Sequence, residues 1–268
     1  MDLKLRSFQH FNCIVEDYEA SLSHLKRVFD AEINYVLRPE YLSEGVHACL
    51  LTIGPVNFEV VGAAPGSKNA FRRRLDTKGP GYMGIEFDVG DLEVARKAVQ
   101  SHGIRIKYDP KRFFVTDSRD TFGLTIEGYD RNWYRAPPDP TMIPVGSVDH
   151  WLKKPLGVTG LHSFSVAVKD RAAAAARWLD VTGLDHEPLK DADGALWLPA
   201  ADTRMALVDA AGKAEHIAAV RLTVNDIDMS ARELAGKGLA VSKKHDGVLV
   251  VSSAANHGLR LEFVQEPH

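Results

Sequence analysis

Residues alternate with a period of two from His10 to Val15, placing Phe11, Cys13 and Val15 on one face and His10, Asn12 and Ile14 on the other. That period predicts a strand. Asp17 follows at once, and beyond it the spacing becomes helical, with Tyr18, Leu22, Leu25 and Phe29 on one stripe. An aspartate at such a junction can accept hydrogen bonds from the first unpaired helical amides. The same strand, acidic cap and helix recur from Gly84 to Asp91, from Ser163 to Asp170 and from Ala219 to Asp226. The helices behind them carry Leu92, Ala95 and Val99 in the second copy, Trp178 in the third and Leu234 in the fourth. They stop at Gly103, Gly183 and Gly238, and glycine suits the left-handed residue that closes a helix.

Each copy ends on a further strand: Asn57 to Val61, Gly123 to Glu127, Arg204 to Val208 and Gly258 to Val264. Three of these carry a glutamate at the same point (Glu59, Glu127, Glu262), and the third copy has Ala206 there. A repeat of this period defines the architecture. The prediction is an α+β chain of four βαβββ modules, two per half, with the halves at residues 1–135 and 157–268 and a linker at 136–156. Proline from Trp133 to Pro140, then Pro144 and Pro155, is too dense for a continuing sheet or helix. Trp133, Tyr134 and Trp151 are expected to pack against the sheets, with a substrate lid as the alternative.

This arrangement resembles the vicinal oxygen chelate superfamily, which includes glyoxalase I, bleomycin-resistance proteins, methylmalonyl-CoA epimerase and extradiol dioxygenases. The segment Gly79-Pro-Gly-Tyr-Met-Gly-Ile-Glu-Phe-Asp-Val89 looks like the epimerase and glyoxalase lead-in to the second module. The resemblance implies two curved-sheet halves, each forming a cup. In that family a metal-ligand histidine stands where Gly84 stands here.

Strand parity sends Phe11, Cys13, Val15, Ile85, Phe87 and Val89 toward the helices. The concave face then receives His10, Asn12, Gly84, Glu86, Asp88, Asn57, Glu59, Thr125, Glu127 and Tyr129. One imidazole with several carboxylates is a divalent-metal donor set, suited to iron, manganese, zinc or nickel. By resemblance, the first-module histidine carries over onto His10, the closing-strand glutamate onto Glu127, and a further first-module ligand onto Glu59. Glu86 lies two residues beyond Gly84 on the same face and could replace the missing ligand if the strand shifts. Glu59, Glu127 and Glu86 are also the candidate catalytic carboxylates. The competing reading is a metal-free cavity with these groups in hydrogen bonds. His47 has ambiguous parity, and His24, His102, His186, His245 and His257 read as surface residues.

In the second half the positions matching a dioxygenase iron site are Ser163, Ala219 and Glu262. Two of the three cannot ligate, and Glu262 is expected to pair with Arg221 or Arg260. That half reads as structural, or as a second cavity without a metal.

Composition adds few restrictions. The chain has 268 residues, 45% hydrophobic and 26% charged, with a net charge of −3. Such a balance gives no basic field for nucleic acid or an anionic membrane. Cys13 and Cys49 lie among apolar strand residues and read as buried thiols. Arg72, Arg73 and Arg74 read as a solvated run, with a substrate anion as the alternative. No apolar run is long enough to span a bilayer, the N-terminus lacks a signal-peptide core, and a cytoplasmic location is expected. Monomer and homodimer both remain open. The function these features favour is a metal-dependent enzyme of isomerase, lyase or dioxygenase type, acting on a small organic substrate through adjacent oxygens. The alternative is a metal-free small-molecule binding protein of the bleomycin-resistance type.

Overall fold

The computed structural model describes residues 1–132, 141–244 and 246–265. The first module comprises β1 (Ser7–Val15), α1 (Tyr18–Phe29), β2 (Glu32–Val36), β3 (Val46–Ile53) and β4 (Val56–Ala63). Helix α2 (Ala70–Lys78) leads to the second module, built from β5 (Gly81–Asp88), α3 (Leu92–Ser101), β6 (Ile106–Tyr108), β7 (Phe113–Thr116) and β8 (Thr125–Tyr129). After α4 (Val148–Leu152) comes the third module: β9 (Val158–Val168), α5 (Arg171–Thr182), β10 (Leu189–Lys190), β11 (Leu196–Ala200) and β12 (Thr203–Asp209). The fourth holds β13 (His216–Val224), α6 (Ile227–Gly236), β14 (Val241–Lys243), β15 (Leu249–Val251) and β16 (Leu261–Gln265). The four predicted βαβββ modules are all present.

The strands form two eight-stranded sheets, ordered β2-β3-β4-β1-β5-β8-β7-β6 and β10-β11-β12-β9-β13-β16-β15-β14. Within every module the first strand lies parallel to the last. A parallel pair needs a crossover, and the helix after the first strand begins it. The same rung recurs in all four pairs: Asn12 opposite Glu59, Glu86 opposite Glu127, Ser165 opposite Ala206, and Arg221 opposite Glu262.

The caps explain why strand gives way to helix at matching points. Asp17, Asp91, Asp170 and Asp226 are extended, and each side chain accepts from an amide in the first turn, at Ala20, Val94, Ala173 and Met229. Such a cap is worth about 1 kcal/mol. Left-handed glycines follow α3, α5 and α6 at Gly103, Gly183 and Gly238. The first helix ends instead on Asp30, itself left-handed.

By contact the chain divides into two compact units that cut across the sheets. One contains Met1–His10, Met83–Pro138 and Ser163–Ala218; the other contains Phe11–Tyr82, Asp139–His162 and Ala219–His268. Each unit takes one module from each half. In the first unit the Phe122 ring meets Trp178 edge-on at 6.3 Å, and the Leu3 amide donates to the Val181 carbonyl. In the second, Phe29 stacks on Phe263 at 6.3 Å. Phe11 and Phe58 are buried in that unit with ring centroids 5.7 Å apart. Burying a phenylalanine stabilises by about 2 kcal/mol. Cys13 and Cys49 are free and buried, as expected.

Several expectations need correction. The arginine run is no solvated face, because α2 turns successive residues to different sides. Arg72 is buried and pairs with Glu16 at 2.9 Å and Asp76 at 2.7 Å. Arg74 donates to the carbonyls of Gly79 and Tyr82, and Arg73 is exposed. The proline-rich linker does contain a helix, α4, which starts beyond Pro144 with Ser147 as its cap. Trp151 on α4 is buried, as expected, and its indole donates to the Gly146 carbonyl. Trp133, Tyr134 and His245 lie outside the described residues. His24 and His257 are half-buried rather than surface residues, with rings 4.7 Å apart, and they hydrogen-bond Asn256 and Ser21 respectively. His102 is also half-buried, against Asp180. His47 is exposed on β3. No described helix is long and apolar enough to cross a membrane.

Candidate functional site

Parity on the first strands decides which side chains can meet. His10 and Asn12 share one face of β1, and Glu86 takes the equivalent face of β5, two residues beyond Gly84. The structure places His10 Nε2 3.6 Å from Glu86 Oε2. Both side chains are almost sealed from water, at 4% and 2% exposure. Glu127 is the register partner of Glu86 on β8 and is part-exposed. His10, Glu86 and Glu127 belong to one compact unit. Glu59 belongs to the other, where it is the register partner of Asn12. Burial pushes the Glu59 carboxyl up to about 7. A raised value near neutrality is what a carboxylate needs to take up and release a proton at that pH.

These donors match divalent-metal chemistry by type, since imidazole nitrogen and carboxylate oxygen suit iron, manganese, zinc and nickel alike. By geometry the match is partial. His10 and Glu86 face one another, yet among the described residues no three His, Cys, Asp or Glu side chains are grouped to hold one ion.

Position 84 explains part of this. A Cβ built on Gly84 would stand 2.7 Å from the Thr125 carbonyl oxygen and 2.9 Å from Thr125 Cβ. β8 has closed over the place where a ligand side chain would project. Glu86, one step along the same face, is the carboxylate that reaches His10. The sequence carried this signal in its parity, although the shift of two residues becomes meaningful only once the register is known.

The fourth module uses the same rung differently. Glu262, 3% exposed, receives Arg221 Nη2 at 2.7 Å and Nε at 3.1 Å on one oxygen. Its other oxygen receives Arg260 Nη2 at 2.7 Å, Arg260 Nε at 3.2 Å and Lys244 Nζ at 3.0 Å. Burial acts to raise the Glu262 carboxyl, but the hydrogen bonds from Arg221, Arg260 and Lys244 outweigh it and bring it down to about 2. The expected pairing with Arg221 or Arg260 is present with both. Lys244 was not foreseen: it is distant in sequence, and nothing local marks it.

Residues 7–132 match the family model described as Glyoxalase/Bleomycin resistance protein/Dioxygenase superfamily. No curated protein matches the chain in sequence. Among solved structures, a mutant of 4-hydroxymandelate synthase from Streptomyces coelicolor superposes with a TM-score of 0.73 at 12% identity, over 98% of this chain and 93% of that one. The Mn(II)-bound glyoxalase from Novosphingobium aromaticivorans superposes with a TM-score of 0.67 at 13% identity, over 99% of this chain and 83% of that one. A xylose isomerase-like TIM barrel/4-hydroxyphenylpyruvate dioxygenase fusion protein gives 0.64 at 12% identity, with 100% of this chain covering 50% of the fusion. At such identities the likeness is one of fold. The fold therefore extends over both sheets, and residues 7–132 carry the match to the glyoxalase/bleomycin-resistance protein/dioxygenase superfamily model.

Proposed function

We propose that the protein is a metal-dependent enzyme of this superfamily, with a divalent ion on His10 and Glu86 and with Glu127 as the neighbouring carboxylate. The observation that carries this reading is the buried imidazole–carboxylate contact of 3.6 Å beside a second glutamate in register. Buried acidic groups need compensation, and a cation at that point would supply it. Bound there, a divalent ion would polarise adjacent oxygens of a small organic substrate. Glu127, part-exposed, is placed to accept or return a proton. Glu59, in the other compact unit, has a carboxyl raised by burial to about 7, which suits proton exchange near neutral pH. Isomerase, lyase and dioxygenase chemistry all fit such a set. The partner is a small molecule, because a net charge of −3 offers no field for nucleic acid or an anionic membrane.

A second reading, a metal-free binding protein of the bleomycin-resistance type, is favoured by the closed backbone at Gly84. Elemental analysis of untagged protein separates the two, with His10→Ala and Glu86→Gln alongside the native chain. Near-stoichiometric metal that is lost in both variants supports the enzyme. Metal retained by both sinks the residue assignment. No metal in the native chain, even after reconstitution, leaves the binding protein.

A further inference from the structure

Three cations converge on one carboxylate in the fourth module, and they exceed what that carboxylate can use. A carboxylate offers about four lone-pair sites. Glu262 already receives five N–H contacts, two each from Arg221 and Arg260 and one from Lys244. It is saturated, yet Arg260 Nη1 and two of the three Lys244 donors are not among those contacts. Glu262 is also the one acidic side chain among the described residues within ion-pair distance of Lys244 and Arg260. Lys244 and Arg260 thus share a single carboxylate, and the cluster carries positive charge in excess.

Like charges held this close repel, and an anion of opposite charge relieves the repulsion. The cations are sheltered but reachable: the side chains of Arg221, Lys244 and Arg260 are 17%, 38% and 39% exposed, while Glu262 beneath them is 4% exposed. Guanidinium groups fixed by a buried carboxylate are pre-organised donors for a second oxyanion. The rung of the third module, Ser165 opposite Ala206, carries no charge at all, so the fold does not require this arrangement.

We infer that Arg221, Arg260 and Lys244, held by Glu262, form a second ligand site in the C-terminal half that takes a doubly charged oxyanion, a phosphate or dicarboxylate group. Glu262 serves as the fixed base on which the donors are arrayed. Arg260 and Lys244 supply the outward N–H groups.

Isothermal titration calorimetry of the full chain tests this with inorganic phosphate and with malonate, at ionic strength matched by sodium chloride. Native protein is expected to bind at least one of the two saturably. A response to phosphate alone assigns phosphate recognition, and one to malonate alone assigns carboxylate recognition. Lys244→Gln and Arg260→Gln are each expected to weaken binding about tenfold or more, the loss of one charge-assisted hydrogen bond. Arg260→Lys, which keeps the charge, is expected to fall between, and urea unfolding checks that each variant is folded. His10→Ala should leave the titration unchanged, which separates this site from the proposed metal centre. No heat beyond that of chloride in the native protein, or equal binding by the folded variants, would overturn the inference.

Discussion

The second and fourth modules place the same rung on the same pair of strands and fill it with opposite chemistry. In the second, Glu86 stands opposite Glu127 and contacts His10; in the fourth, Arg221 stands opposite Glu262, with Arg260 and Lys244 added. Strand parity, an aspartate cap and a parallel partner strand suffice to aim both rungs, so what they carry can vary without altering the fold. The two closing-strand glutamates, Glu59 and Glu262, show the consequence. Burial lifts the first to about 7, whereas three cations hold the second near 2 despite burial.

The largest effect should come from removing the anion at the centre of the basic rung. Glu262→Ala removes the carboxylate that Arg221, Arg260 and Lys244 share and should cost about 4 kcal/mol in urea unfolding. A loss below about 1 kcal/mol would mean that the cluster is solvated and the comparison is false.

Acid titration sharpens the same point. The Glu262 carboxyl is depressed when folded, from an ordinary 4.5 to about 2. Its stabilisation is therefore complete above about 4.5 and is lost as pH falls toward 2. The loss is on the order of 3 kcal/mol, and a Glu262→Gln variant should show that much less acid sensitivity.

Position 84 distinguishes the rungs sterically. Gly84→Ala drives a Cβ against Thr125 and should cost about 2 kcal/mol. The corresponding position of the fourth module is already Ala219, and it is buried. A neutral Gly84→Ala would show that a ligand side chain could return there.

Glu59 should titrate with the opposite sign to Glu262. Its folded carboxyl is raised, so stability is full below about 4.5 and declines as pH rises toward 7. In metal-free protein at about pH 8, Glu59→Gln should then stabilise by about 1 kcal/mol, less than the shift implies because the residue is part-exposed. Destabilisation instead would point to a favourable partner for the ionised form.

The smallest effect tests what the modules share. Asp91→Ala and Asp226→Ala each remove one helix cap and should cost about 1 kcal/mol or less, equally in the two modules. Unequal losses would show that the modules differ in scaffold as well as in rung.

The scaffold was legible because its signals are local. Alternation at Phe11, Cys13 and Val15, four aspartate caps and three glycine stops each report the conformation of a few adjacent residues. Helices α2 and α4 escaped because proline and arginine content is a weak guide to a short helix once capped, by Asn69 and by Ser147. The candidate site was legible only in its inventory: His10, Glu59, Glu86 and Glu127 could all be named. Which of them meet depends on register and packing, and the structure sets His10 against Glu86. Lys244 had no local mark at all.

The sequence by itself determined the four modules, the face on which each side chain falls and the kind of donor present, since these follow from short-range periodicity and residue chemistry. Only the tertiary structure decided the compact units, the His10–Glu86 contact, the closed backbone at Gly84 and the three cations on Glu262. Those depend on strands far apart in the chain being brought into one register, and the free energy that selects the register is spread over the whole core rather than written in any one stretch.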